Sequence, residues 1–166
     1  RDCSQSRGLG DVYKRQVSDL EDHLSTIFTE NRLKTYIETR TMDACGWDCL
    51  CAGPAFLIGL MYGNLEEVFD LVKKWDVSDI LSAYINAPKD GFKTNLGNKD
   101  LLHWSAILLN ISREGLANRN ALNKKKINES KFLSHLENII KFKNNNAENV
   151  LSKFNNNKDL NFFYEK

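Results

Sequence analysis

The stretch LKTYIETRTMD, residues 33–43, is rich in β-branched and aromatic side chains, which favour an extended backbone. It predicts one β-strand at about residues 33–41. Side chains alternate across a strand, so one face of this strand would carry Lys34, Tyr36, Glu38 and Arg40. A carboxylate and a guanidinium would then point the same way from one support. Taken alone, such a pattern is more often a polar face shown to water than a functional site.

Length, charge and cysteine content limit the class of protein. The chain has 166 residues and a formal net charge of +1, which suits one domain and gives no indication of a nucleic-acid partner. No apolar run reaches the roughly 18 residues that a membrane span requires, so we expect no membrane partner. Four cysteines without a recognisable secretory signal predict reduced thiols and a cytoplasmic location.

The first 16 residues, RDCSQSRGLGDVYKRQ, differ in character from the rest of the chain. They show no hydrophobic period, and we interpret them as translated adapter or vector sequence, with a natural flexible tail as the alternative. The predicted domain is therefore residues 17–166. We expect the tail to be dispensable for folding.

Apolar residues recur at helical spacing through much of the domain. Helices are predicted at residues 17–28, 48–62, 65–75, 77–84, 100–115, 129–142 and 147–154. Pro54 should mark the start of the second helix or a kink in it, and Gly115 should end the long fifth one. The composition of residues 87–92 predicts a turn. The fold class is thus α+β, mostly α-helical, with one strand.

The cysteines raise the question of a metal site. Cys45, Cys49 and Cys51 lack the paired spacing typical of structural zinc, even with His23 as a further ligand. We therefore expect no metal there. A hydrogen-bonded structural role is the more frequent one for a lone histidine such as His23, and a buried or redox-linked thiol is expected at Cys51.

A longer pattern surrounds the strand. In order, the chain carries DHLSTIF, NRLK, YIETR, Asp43, Trp47 and CAGPAFLIGLMY. This series resembles the proteobacterial and plant type of glutamate–cysteine ligase, in which a DHLTTLFPE-like segment leads to VRLK, a YLEMRGAD-like strand and a CALPAFWVGLLY-like helix. A weaker resemblance continues to about residue 164. It corresponds to the C-terminal third of such a ligase, with Thr29 in place of the family's Pro and Gly53 in place of its Leu.

The resemblance implies the C-terminal part of a glutamine synthetase-like catalytic fold. It also implies an ATP-dependent ligase that joins the γ-carboxylate of L-glutamate to the amine of L-cysteine through γ-glutamyl phosphate, the first step of glutathione biosynthesis. Glutamate, cysteine and ATP would be its small-molecule partners, and Mg²⁺ would accompany ATP. The remainder of the parent chain would complete the site, so we expect this chain alone to be inactive and marginally stable.

Residue roles follow from the same resemblance. Glu38 would be a Mg²⁺ ligand, because carboxylates hold that ion in phosphoryl-transfer enzymes. Arg40 would be the catalytic contact to phosphate or to a substrate carboxylate, since a guanidinium offers oxyanions a fixed fork of donors. Substrate binding would also involve Tyr36, Trp47 and Arg32, and ATP binding would involve Lys34. A structural Glu38–Arg40 ion pair is the alternative.

Two other functions fit the sequence. The chain could be a non-catalytic α-helical interaction domain that keeps the ligase pattern for stability. It could also belong to a related carboxylate–amine ligase that uses another acceptor amine. The presence of both Glu38 and Arg40 favours the catalytic interpretation over the first of these.

Overall fold

The structure, a computed structural model, describes residues 16–43 and 45–157 of the chain. It divides into two compact units, Arg1–Asp43 and Ala44–Lys166. Most of the segment predicted to be an adapter-derived tail lies outside the described residues. Its last residue, Gln16, is described and caps the first helix: its backbone N–H donates to Asp19 Oδ2 over 2.9 Å.

The described part of the first unit, residues 16–43, consists of one helix and one β-hairpin. Helix α1 is Val17–Ser25, and it is followed by β1, Asn31–Leu33, and β2, Ile37–Thr39. The two strands pair antiparallel, with Arg32 opposite Glu38. The prediction of one continuous strand at about residues 33–41 is therefore wrong, because the chain reverses direction within that range.

The reversal takes place in residues 34–36. The Lys34 backbone N–H donates to the Tyr36 carbonyl over 2.8 Å, and the pairing extends beyond β2 through the Arg40 N–H and the Glu30 carbonyl. Of the β-branched and aromatic residues on which the strand prediction rests, Ile37 and Thr39 lie in β2, whereas Thr35 and Tyr36 lie in the bend. No glycine, proline or asparagine occupies positions 34–36, so the sequence lacks the usual signal of a hairpin turn.

The second unit is mostly helical. Its α-helices are α2, Ala52–Ile58; α3, Leu65–Val72; α4, Val77–Asp90; α5, Leu101–Arg119; α6, Ser134–Phe142; and α7, Asn146–Asn157. A π-helical turn, Gly59–Gly63, continues α2, and 3₁₀ turns occupy Gly91–Lys93 and Glu129–Leu133. A short antiparallel hairpin, β3 Asn95–Leu96 and β4 Lys99–Asp100, precedes α5. The α+β class with mostly helical content is confirmed.

The core of the second unit forms where α2, α5 and α6 meet. Its most deeply buried members are Ala55, Leu109, Leu116 and Leu133, and Leu116 and Leu133 have no exposed surface. Partly buried apolar side chains pack around them: Phe56, Ile58, Leu136 and Ile140. Burial of this apolar surface is the main force that holds the helices together.

Glycines bring α5 unusually close to the π-helical turn. A Cβ placed on Gly59 would overlap the Ser112 backbone, and one on Gly63 would overlap the Gly115 backbone. In the opposite direction, a Cβ on Gly115 would overlap the Gly59 carbonyl. Only glycine permits this backbone approach at these positions.

Polar side chains hydrogen-bond across the same contact. The Ser112 hydroxyl, fully buried, donates to the Phe56 carbonyl over 2.8 Å. The Asn64 amide donates to the Ile111 carbonyl over 3.2 Å. The Phe56 carbonyl also accepts from the Gly59 backbone N–H, so the serine hydroxyl is a second donor to it and ties α5 to the end of α2.

Several predicted helix ends need correction. Helix α4 continues through Pro88 to Asp90, so the turn predicted at residues 87–92 begins only at Gly91. Helix α5 passes through Gly115 and ends at Arg119, with Asn120 as its C-cap, because Gly115 serves the contact with the π-helical turn and not a cap. Helix α2 begins at Ala52, with Pro54 in its first turn, as Pro54 indicated.

The β3–β4 hairpin was not predicted. Its turn is Gly97-Asn98, and Gly97 has a φ of 63°, a conformation that glycine adopts at little cost. The Trp104 indole N–H donates to the Leu96 carbonyl over 2.9 Å and fixes the hairpin to α5. Strands of two residues give too short a pattern for recognition from sequence.

The prediction of fully reduced thiols is wrong. Cys45 and Cys49 form a disulfide, because the turn between them brings their Cα atoms to 6.0 Å, within the range that a disulfide spans. Cys51 has a free, exposed thiol, so the buried alternative predicted for it is wrong and the redox-linked one stays a prediction. Among the described residues, no group of three or more His, Cys, Asp or Glu side chains is placed to hold a metal ion.

A helix that crosses a membrane must be both long and apolar. Within residues 16–43 and 45–157, no helix combines the length and the apolar character needed to cross one.

The glycine contact gives a direct stability prediction. Gly115→Ala should lower the free energy of unfolding of the second unit by about 1–3 kcal/mol, because the added methyl forces α5 away from Gly59. Urea unfolding followed by circular dichroism measures the change. Ala117→Ser, on the exposed side of the same helix, is the control and should change it by less than about 0.5 kcal/mol. A Gly115→Ala variant as stable as the control would contradict the close approach.

Candidate functional site

The hairpin of the first unit places two guanidiniums on one carboxylate. Arg32 and Glu38 are directly opposite on β1 and β2, and Arg40 lies two positions beyond Glu38. Arg40 Nη1 donates to Glu38 Oε1 over 3.3 Å, and Arg32 Nη1 lies 3.7 Å from Glu38 Oε2. Cross-strand pairing and side-chain alternation thus gather these three residues on one face of the hairpin. We call them the arginine cluster.

The Phe28 ring supports the cluster from one side. The guanidinium carbon of Arg40 lies 4.8 Å from the centre of the ring, and that of Arg32 lies 5.5 Å from it. Both distances suit cation–π attraction. Arg32 Nη2 also donates to the Ile27 carbonyl over 3.1 Å. The segment that enters the hairpin therefore fixes the orientation of both arginines.

Exposure differs among the three side chains. Arg32 is 15% exposed, whereas Glu38 and Arg40 are 32% and 33% exposed. Glu38 Oε2 and Arg32 Nε are buried atoms without a hydrogen-bond partner in the described part of the chain. Arg40 is thus the member whose guanidinium remains most open to a ligand, while Arg32 holds Glu38 from the opposite strand.

The charges of the cluster favour an anion. Two guanidiniums and one carboxylate leave a formal charge of +1 on one face, with planar donors suited to a carboxylate or phosphate group. The same two cations oppose a divalent metal beside Glu38. The described residues therefore do not form a Mg²⁺ site by themselves, and Glu38 could serve as a ligand only with carboxylates from elsewhere.

Two further predicted site residues lie in the first unit outside this cluster, and a third belongs to the second unit. Lys34 and Tyr36 occupy the bend between the strands, where Tyr36 is 59% exposed. In residues 16–43, neither side chain forms a hydrogen bond or ion pair with Glu38 or Arg40. Trp47 belongs to the second unit and is 91% exposed. Because the bend interrupts the strand, the single polar face predicted for residues 34–40 is divided.

Sequence reasoning missed Phe28 as part of the site. It was interpreted as an apolar position of the first helix, but α1 ends at Ser25 and Phe28 precedes the hairpin. An aromatic residue close to two arginines is a signal for cation–π contact only once the hairpin is known. Nothing in the spacing of Phe28, Arg32 and Arg40 indicates that they meet.

Known proteins resemble this chain over most of its length. The profile of glutamate–cysteine ligase family 2 matches residues 2–161. The chain belongs to this family. The matched range includes the whole arginine cluster and helices α1 to α7, and it also covers most of the segment interpreted as an adapter-derived tail.

Curated members of the family are similar in sequence. The chain is 34% identical over 140 residues to a chloroplastic glutamate–cysteine ligase of Solanum lycopersicum, and 33% identical over 140 residues to that of Arabidopsis thaliana. Each alignment covers 83% of this chain and 26% of the relative. Chloroplastic glutamate–cysteine ligase A of Oryza sativa subsp. indica is 35% identical over 105 residues, 62% of this chain and 21% of the relative. The chain thus spans about a quarter of the length of the ligases it matches.

The partial exposure of the cluster predicts a small contribution to stability. Glu38→Gln and Arg40→Lys should each change amide exchange protection at position 40, whose N–H bonds to Glu30, by less than about fivefold. The Glu38–Arg40 ion pair is about one third exposed, so water screens it, and it contributes about 1 kcal/mol or less to the free energy of unfolding. Hydrogen exchange followed by NMR measures the protection.

A matched control is Arg113→Lys, which alters another arginine–carboxylate pair, that with Glu137, in the second unit. It should leave the hairpin amides unchanged. A loss of protection of about a hundredfold in Glu38→Gln or Arg40→Lys would mean that the pair is chiefly structural.

Proposed function

We propose that this chain supplies an anion-binding part of the catalytic site of an ATP-dependent glutamate–cysteine ligase. The observation that carries the proposal is the arginine cluster, which lies within the range matched to the family. Glutamate, ATP and the acyl phosphate formed from them are all anions, and Arg40 presents a partly exposed guanidinium to such groups.

The proposed reaction has two steps. The γ-carboxylate of L-glutamate attacks the γ-phosphorus of ATP, the bond to the β-phosphate oxygen breaks, and ADP leaves. The amine of L-cysteine then attacks the carbonyl carbon of γ-glutamyl phosphate, loses a proton and expels phosphate, giving γ-glutamylcysteine. Phosphoryl transfer depends mainly on positioning and charge stabilisation. Arg40 would bind either the substrate carboxylate or the transferred phosphoryl group.

Other members of the cluster would position Arg40. Glu38 accepts a hydrogen bond from Arg40, and the Phe28 ring lies against the same guanidinium, which reduces its freedom before a ligand arrives. Arg32, anchored by the Ile27 carbonyl, keeps Glu38 in place and contributes positive charge to substrate binding. When bound with ATP, Mg²⁺ would neutralise phosphate oxygens.

Further parts of the proposal rest on the family resemblance. Lys34 would contact ATP, Tyr36 and Trp47 would contact substrates, and the full domain would adopt the glutamine synthetase-like fold. Glu38 remains a proposed Mg²⁺ ligand on the same basis. The cytoplasm remains the proposed compartment, although the names of the similar ligases place those proteins in chloroplasts.

Arg40→Lys, made in a full-length ligase that carries this segment, tests the central role. Lysine keeps the positive charge but lacks the planar pair of donors. The substitution should therefore lower kcat/KM for glutamate or ATP by roughly 10- to 100-fold, since hydrogen bonds to charged groups are worth about 1.5–3 kcal/mol. Steady-state assays of γ-glutamylcysteine formation, with each substrate varied in turn, measure the loss.

Arg113→Lys is the matched control, because it makes the same substitution in another exposed ion pair of this chain. It should leave both specificity constants within about twofold of the unchanged enzyme. If Arg40→Lys behaved like Arg113→Lys, the proposed anion contact would be wrong. Replacing cysteine with other amines in the same assay tests the choice of acceptor.

The 166-residue chain alone is expected to form no γ-glutamylcysteine. Its relatives are about four times as long as the aligned part, and in the described residues the cluster offers one carboxylate and no metal-holding group. A coupled ADP-release assay with glutamate, cysteine, ATP and Mg²⁺ checks this, with the full-length ligase as positive control. ADP release that depends on both amino acids would contradict the expectation.

A further inference from the structure

A cavity of about 270 Å³ opens in the second unit between the end of α3, the start of α4 and the β3–β4 hairpin. The side chains of Leu71 and Leu96 form apolar parts of its wall, and the hairpin turn at Gly97 forms one side. The volume is sufficient for a small organic ligand. All of its lining residues belong to the second unit.

Two indole rings line this cavity. Trp75 and Trp104 meet edge to face, with ring centres 5.2 Å apart and an interplanar angle of 70°. The hydrogen bond from Trp104 to the Leu96 carbonyl keeps that ring in place. The two rings therefore give the cavity apolar surface against which a hydrocarbon chain can pack.

The cavity also carries more negative than positive charge. Asp76, Asp79 and Lys74 line it, which gives two carboxylates and one ammonium group. The Ser78 hydroxyl and backbone N–H donate to Asp76 and hold the pKa of its carboxyl below the ordinary value, so it is ionised at neutral pH. Asp76 is thereby engaged in capping α4.

Asp79 is the carboxylate that remains available. It is partly buried, and a Cβ on Gly97 would lie 3.6 Å from its Oδ2 atom, which places the hairpin turn directly beside it. Within residues 45–157, its carboxylate receives no hydrogen bond and no ion pair. A partly buried carboxylate between apolar and aromatic walls gains from a cationic partner.

We propose that this cavity binds a primary ammonium group carried on a short apolar chain, with the ammonium at Asp79 and the chain against Trp75 and Trp104. An anionic ligand would face two carboxylates, and a neutral one would leave the net negative charge of the lining unbalanced, since Lys74 offsets only one of the two carboxylates. An alkylammonium ion supplies both groups that the cavity calls for: the ammonium pairs with Asp79, and the apolar chain packs against the indole rings.

Titration of the full chain with n-butylammonium chloride tests the proposal, followed by ¹⁵N-NMR of the indole N–H groups. The signals of Trp75 and Trp104 should shift saturably, while that of Trp47, 91% exposed and outside the cavity, should not. Butanol and butyrate have similar shapes but no positive charge. Each should bind at least about tenfold more weakly, which corresponds to the value of one good charged contact.

Variants of Asp79 identify the recognising group. Asp79→Asn should weaken n-butylammonium binding by at least about tenfold, and Asp79→Glu should retain most of it. Asp70→Asn removes an exposed carboxylate outside the cavity, the partner of Lys73, and should leave binding unchanged. Equal binding of n-butylammonium and butanol, or unchanged binding in Asp79→Asn, would overturn the proposal. If Asp79→Asn failed to fold, the comparison of the three ligands on the unchanged chain would decide alone.

Discussion

The second unit depends on the contact between two helical backbones at Gly59, Gly63 and Gly115. Because none of these residues has a Cβ, α5 lies close enough to the π-helical turn for the Ser112 hydroxyl to bond to the Phe56 carbonyl. The apolar side chains behind this contact can then close into one core with Leu133 from the neighbouring 3₁₀ turn. Helix α5 also carries Trp104, so the same contact fixes one wall of the cavity proposed to bind ammonium groups.

In its described residues, 16–43, the first unit is organised by charge and not by a large core. It has no buried residue in α1, and its hairpin strands are three residues each. The site is ordered by the contacts around the two guanidiniums: a carboxylate between them, an aromatic ring beside them and a backbone carbonyl. We propose that this cluster binds anions without a deep pocket, because Arg40 is oriented before a ligand arrives.

The sequence supported correct predictions where the signal was long or local. Repeated apolar spacing found each helix of the second unit, and Pro54 marked the start of α2. Predictions from the sequence were wrong where tertiary contacts decide the local structure. Gly115 is typical of a helix C-terminus, but here it lies inside α5 and permits the close contact with the π-helical turn. Residues 34–36 reverse the chain direction although none of them is a residue that commonly forms turns. The pairing of Glu38 with Arg40 followed from alternation, whereas the contribution of Phe28 required the folded chain.

The most direct test of the account is the position of the Arg40 guanidinium in a crystal structure of a full-length ligase carrying this segment, with glutamate and a non-hydrolysable ATP analogue bound. The account predicts an Arg40 nitrogen about 2.7–2.9 Å from a carboxylate or phosphate oxygen of one ligand, with Glu38 still beside it. Both ligands bound elsewhere, with the Arg40 guanidinium in contact with Glu38 alone, would contradict the claim that this hairpin binds the reacting anions.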